Sequence, residues 1–577
     1  MTPSAPSADS RLAPSPVEPP SQVEHDRQLI REARRQGIGP LFWTFTRLSG
    51  PGWLQSAITL GGGSLAGSLY LGVLAGYGLM WLQPLAMILG VIMLSAIGYV
   101  TLSTGERPFG AINRHVSPVL GWAWLIASVM ANMVWCMPQF ALGTAAIRQN
   151  LSPDGIGAMP APNGDLVCVA ALFLVSGAIV WFYDSGGWGI KLFELILKAM
   201  VGVVVICFFG VVLKMSLSSQ GLDWGRILAG FVPDFTLLTK PSAAFAETLA
   251  QTGTYAAYWK NLIVSDQQKV MITAAATAVG INMTFLLPYS MLARGWDRDF
   301  RGLAIFDLAT GLFIPFVLAT SCVVLAAAAQ FHAQPAPGFV DQLEPPAANL
   351  IGGYNKLLDG RIKQELGGAA FAGLSQDQLA AARASLPVGD RTMAAMIVQR
   401  DASNLADSLK GLVGKGTAQY VFGVGVLGMA VSTIIILMLI NGFAVCEALG
   451  VPDKGLPRRL GALLAGISGA LGPFVYTGDA KFWLAVPTSM FGMILLPIAY
   501  VTFFFMMNSQ SLMGDKLPRS GQRVLWNALM LIAVGTAAFG SYWSIKTGGY
   551  PTIGYASIGG LILLAAVVHM VRKPTAS

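Results

Sequence analysis

"GPGWLQSAITLGGGSLAGSLYLGVLAGYGLMW", residues 50–81, reads as a membrane span with a flaw at its middle. The flanking residues are apolar and numerous enough to cross a bilayer, which takes about 20 residues as a helix. Glycine is the poorest helix former after proline. Within lipid, the backbone groups freed at Gly61–Gly62–Gly63–Ser64 need partners from protein or from a water-lined cavity. Two explanations fit. Small residues let helices pack closely, or the helix is broken at a binding site, as in transporters whose half-helices meet near the midplane.

Composition puts the whole chain in the membrane. Of 577 residues, 54% are hydrophobic and 11% charged, with a mean hydropathy of +0.60. Soluble domains carry about 25% charged residues, so lipid must be the solvent for much of this surface. The net charge of +8 comes from short clusters between apolar runs. That is a topology signal and not the footprint of a nucleic-acid binder. Cys136, Cys168, Cys207, Cys322 and Cys446 lie in or beside apolar segments without CxxC spacing and read as buried thiols. No paired aspartates, Ser–His pair or HExxH motif occurs at depth, so an enzyme is not expected, nor is a bound redox cofactor.

Along the chain, residues 1–39 form a tail. Its Ser/Pro-rich start should be disordered, no signal peptide is expected, and "HDRQLIREARRQ" (25–36) suggests a short basic helix on the membrane surface. Twelve apolar segments follow, near 41–75, 79–103, 119–147, 164–183, 190–214, 268–293, 302–331, 418–446, 457–477, 481–507, 522–545 and 549–571. "ERPFGAINRH", "RGWDRDFR", "DKGLPRR", "GDKLPRSGQR" and "HMVRK" all fall on one side, each with more Arg and Lys than acid. The positive-inside rule then places both termini in the cytoplasm, in a bacterial inner membrane. Two long connections, 216–267 and 332–417, lie outside and look partly helical. The chain thus divides into the tail, a core over 40–545, and a final span with a short tail over 546–577.

Ionisable residues within spans mark ion pathways or snorkel to the interface. Glu194 and Lys198 have the favourable i,i+4 spacing, and Asp307 opens the seventh segment; Asp307 and Glu194 are the candidates for coupling. The midplane holds no carboxylate or imidazole in this scheme.

A second break is expected in the sixth segment, at "NMTFLLPYS" (282–290), where Pro288 removes a backbone donor. Breaks five spans apart are what an inverted repeat of five helices would produce. The opening stretch resembles the first helix of Nramp-family metal transporters, with its GPG start and its later Gly-Tyr-Gly and Trp. "RILAGFVPDF" (226–235), "FDLATGLFIPFVLATSCVVLAAAAQFH" (306–332), "FGVGVLGMAVSTIIILMLINGFAVCEAL" (422–449) and "SLMGD" (511–515) resemble later pieces of the family in the right order. The resemblance implies an all-α integral membrane protein with a LeuT-like fold: two inverted five-helix halves plus two C-terminal helices. It also implies alternating access and metal-ion transport.

The family's metal-holding motifs are missing. Gly61, Gly62, Gly63 and Ser64 stand where the resemblance expects DPGN, and Leu287, Pro288, Tyr289 and Ser290 where it expects MPHN. The family's acidic positions in the third helix fall on Met137 and Phe140. A divalent cation calls for hard oxygen ligands with carboxylate charge, or for soft sulfur, so no metal ligand is assigned. The candidate substrate site is Gly61–Ser64, with Ser64 capping the outer half-helix, facing Asn282, Thr284 and Leu287–Ser290. Met283 and Met291 are out of register. Such a site suits a metal ion by resemblance. By its own chemistry it suits a neutral, zwitterionic or anionic solute or a monovalent cation. A non-transporting sensor on the same fold is a further alternative. The expected partners are a small ion or solute and the bilayer, with no nucleic acid; the oligomeric state stays open.

Overall fold

A computed structural model of the chain describes residues 22–571 apart from 185–186, 219–220, 341–343, 476–480 and 550. Residues 1–21, the start of the tail expected to be disordered, lie outside the described residues. Every regular element among the described residues is a helix. Ten helices are long and apolar enough to cross a membrane, and the bent pair Pro51–Thr59 and Gly62–Ala75 makes eleven. Leu456–Val475 completes the expected twelve, although it is less apolar. Its small residues face protein, because it packs against the third and eighth spans, Pro118–Ala145 and Phe422–Leu449. A Cβ added at Gly472 would stand 2.4 Å from the Met137 carbonyl oxygen, and one at Gly469 2.6 Å from Cys136 Sγ. All five cysteines are free thiols and buried.

The sixth span begins earlier than expected. Its helix starts at Ala256, so "AAYWKNLIVSDQ" continues the span beyond the bilayer and is not loop. The extension is polar enough to hide its helical character, but it has a docking partner. The indole of Trp259 donates to buried Asp390 at 2.6 Å, and Arg361 Nε lies 3.2 Å from the same carboxylate. The second long connection is therefore a set of helices (Ala348–Leu366, Gln376–Ser385, Val388–Ile397 and Ala402–Val413 among them), tied to the sixth span through Asp390 and, by Ala402–Val413, packed against the fifth and seventh spans. Arg400 pins it further. Its guanidinium donates to the carbonyls of Met396, Ala395 and Gln334 at 3.0, 3.2 and 2.9 Å. Burial pulls it down to about 10, so it keeps its charge at neutral pH. The face bearing these helices is called here the loop face, and the opposite one the terminal face.

The basic segment near the N-terminus is a helix, Gln22–Gln36, but its arginines meet protein. Arg27 donates to Asp297 at 2.7 Å, Arg31 to Asp299 at 3.0 Å, and Arg34 to the Asp299 carbonyl at 3.4 Å. "RGWDRDFR" scores as basic overall, and its two acids are complementary to this helix. Exposed ion pairs contribute about 0.2–1 kcal/mol each. Replacing Asp297 and Asp299 together by Asn should thus raise local opening of residues 22–36 about tenfold, read as faster amide exchange there with the spans unchanged.

Candidate functional site

The first span breaks between Thr59 and Gly62 with a bend of 55°. The positive end of its outer half is met by protein: the Gly62 N–H donates to Gln139 Oε1 at 2.7 Å. The glycines are there for close approach. A Cβ on Gly61 would lie 2.5 Å from Thr433 Oγ1, and one on Gly63 2.8 Å from Thr277 Cγ2. The freed carbonyls of the inner half are met as well. Ser432 donates to the Ala57 carbonyl at 2.9 Å, and Thr433 Oγ1 lies 3.4 Å from that of Ile58. Ser64 is not the N-cap it was expected to be. Gly61 holds that position, and the Ser64 hydroxyl reaches back across the break to the Thr59 carbonyl.

The sixth span breaks at Val279–Gly280, both extended, and not at Pro288. Ile281–Ala293 runs through Pro288 as continuous helix. A proline inside a helix costs one hydrogen bond, which neighbouring helices and side chains can make good. Gly280 instead lies against the Trp135 ring, where a Cβ would approach to 2.5 Å. The expected site therefore divides. Gly61, Gly63, Ser64 and Asn282 line one small cavity of about 40 Å³, together with Thr59, Gln139 and Met283. Both amide atoms of Asn282 are buried without a hydrogen-bond partner. Gly62 lies beside it and lines a larger cavity of about 340 Å³ toward the loop face, with Arg148, Asp165, Asn349 and Asp401.

Leu287, Pro288, Tyr289 and Ser290 lie about 10 Å further along the helix and outside that lining. Tyr289 stacks on Phe285 with ring centroids 4.7 Å apart. Ser290 donates to its own helix at Leu287. Thr284 accepts from the Trp124 indole at 2.9 Å, a helix–helix contact. Met283, set aside as out of register, is at the break: its sulfur is 3.2 Å from Thr59 Oγ1 and 3.4 Å from the Gly280 nitrogen. Gln139 and Thr433 were also missed. A neutral amide or hydroxyl inside an apolar run gives no sequence signal.

The two coupling candidates lie elsewhere. Asp307 is buried and accepts from the Ser49 hydroxyl and from the Gly50 and Gly52 N–H groups, the latter two at 3.1 and 2.7 Å. It thereby caps the inner half of the first span, where a carboxylate suits both the orphan donors and the helix dipole. A Cβ at Gly52 would stand 2.2 Å from the Asp307 carbonyl. Glu194 pairs with Arg294, whose Nε lies 3.1 Å away. Lys198, its expected partner, donates to the Ser49 carbonyl at 2.8 Å. Neither carboxylate lines the central cavity. Among the described residues, no group of three or more His, Cys, Asp or Glu is arranged to hold a metal ion.

With this geometry established, comparison with known proteins identifies the frame. A family model described as natural resistance-associated macrophage protein-like matches residues 52–350 and 380–541. The chain belongs to the Nramp family. A metal transporter of Populus trichocarpa is 26% identical over 166 residues, and a divalent metal cation transporter of Agrobacterium fabrum 25% over 197. These stretches cover 29% and 34% of the chain, and 30% and 39% of the relatives' own lengths. A solved structure of an Eremococcus coleocola manganese transporter variant aligns with a TM-score of 0.52 at 14% identity, over 92% of this chain and 95% of that one. The Nramp frame, with its LeuT-like pair of inverted five-span halves and two further spans, accounts for breaks in spans one and six.

Two outcomes are expected at these positions. Asp307→Ala should cost about 3 kcal/mol, the price of leaving buried donors unpaired, seen as a lower unfolding temperature in detergent. Gln139→Glu would set a carboxylate on the Gly62 N–H. It should create or strengthen Mn²⁺ binding by about tenfold in calorimetry.

Proposed function

We propose that this Nramp-family chain is a secondary transporter that works by alternating access around the breaks at Thr59–Gly62 and Val279–Gly280. In this proposal residues 40–545 are the transporting core. Both termini lie in the cytoplasm and the membrane is a bacterial inner membrane. The observation that carries the reading is the cavity held between the two breaks, with a larger one above it on the loop face. The terminal face is tied by Arg294–Glu194 and by the carboxylate cap at Asp307.

The family relation supports a metal ion as substrate, met by the Met283 thioether and by the side-chain oxygens of Gln139, Asn282 and Thr59. One observation favours a second reading: among the described residues, no charged side chain lines the central cavity. Dehydrating a dication there would have no anion to offset it, and a small neutral or zwitterionic solute would fit the lining amides and hydroxyls. Asp307 and Glu194, both remote from the cavity, would act in either case on the closing of the terminal face and not as ligands.

Proteoliposomes decide between these. Mn²⁺ uptake by the wild type that falls about tenfold in Met283→Ala would establish the metal reading. No divalent flux, with counterflow of an uncharged or zwitterionic solute lost in Asn282→Leu, would establish the second. Absence of any counterflow would overturn transport.

A further inference from the structure

We propose that the groove between the second, sixth, tenth and eleventh spans is a binding site for one phospholipid, with an acyl chain in the groove and the glycerol ester region at Trp81 and Trp543. The spans concerned are Leu82–Thr104, Ala256–Ala278, Ala485–Asn508 and Ser520–Thr547. The groove encloses about 510 Å³, within the ~300–1,000 Å³ of small-molecule sites. Leu85, Leu89, Met271, Ile272, Leu496 and Phe539 line it along the spans, and Phe235 and Leu238 roof it on the loop face.

Three observations select the occupant. The groove lies among membrane spans, so an acyl chain is the apolar partner at hand. Its rim holds two indoles whose N–H groups are both buried with no acceptor among the described residues, although buried Trp normally finds one. Trp81 immediately precedes the second span and Trp543 is close to the end of the eleventh, so both stand at one membrane–water interface. That is the level of the ester carbonyls, which only accept hydrogen bonds. Finally, the Lys546 ammonium sits 5.2 Å over the Trp543 ring, placing a cation where the phosphate would follow. The groove also reaches Val279 at the break of the sixth span, and Gly90 makes room for that side chain, since a Cβ there would come within 2.1 Å of it. The chain would therefore rest against the broken backbone.

The test uses the full-length protein in vesicles of phosphatidylglycerol carrying a diazirine in one acyl chain. Photolysis should label the peptides holding Met271 and Leu496 well above those of Pro551–Val571, a span with no buried residues that reports general lipid contact. Ala275→Phe, which fills the groove, should lower the labelling about tenfold. Trp543→Phe keeps an aromatic ring at the rim and removes one donor, and should speed exchange of the retained lipid in native mass spectrometry. Should Ala275→Phe fail to fold, Ala86→Phe fills the same groove from the second span. Labelling equal to that of the last span, or unchanged by groove-filling, would overturn the assignment.

Discussion

A polypeptide that interrupts a helix within lipid must find a partner for every backbone group it frees, and that requirement organises this structure. At the first break the partners come from two other spans: Gln139 of the third for the Gly62 N–H, and Ser432 and Thr433 of the eighth for the carbonyls of the inner half. At the start of the same half-helix the partner is the carboxylate of Asp307. Each of these side chains fixes the position of one span against another, so satisfying the break also sets the core of the bundle. The glycines make this possible, because a Cβ at Gly61 would collide with Thr433 and one at Gly62 would crowd Gln139.

The same requirement explains the neutrality of the centre. A site meant for a cation leaves carbonyls and helix ends available to it, and adds negative charge. Here much of that capacity is spent on hydroxyls and an amide from the protein itself. What stays unspent is the Asn282 amide and part of the coordination of the Met283 sulfur. Family membership and local chemistry thus bear on different questions: one describes the frame, the other what the frame can hold.

Much of the fold was legible because its signals are local. The triple glycine, the apolar lengths and the alternation of loop charge each lie within a short window. The break in the sixth span was misplaced because Pro288 is conspicuous and Gly280 is not, although lipid-embedded helices tolerate proline where neighbours supply partners. Asp307 was seen but not understood, since the donors that explain it are more than 250 residues away in sequence. Gln139 was invisible for want of charge. The polar start of the sixth span passed for loop because its partners, Asp390 and Arg361, come from a later part of the chain.

That polar extension has a mechanical consequence. From Gly280 to Ala256 the helix runs about 36 Å at 1.5 Å per residue, and its far end is gripped by the helices of the loop face through Trp259 and Asp390. It is a lever arm. A tilt of about 10° at the hinge would carry the tip about 6 Å over that length, so small angular changes beside the central cavity become large displacements of the outer cap.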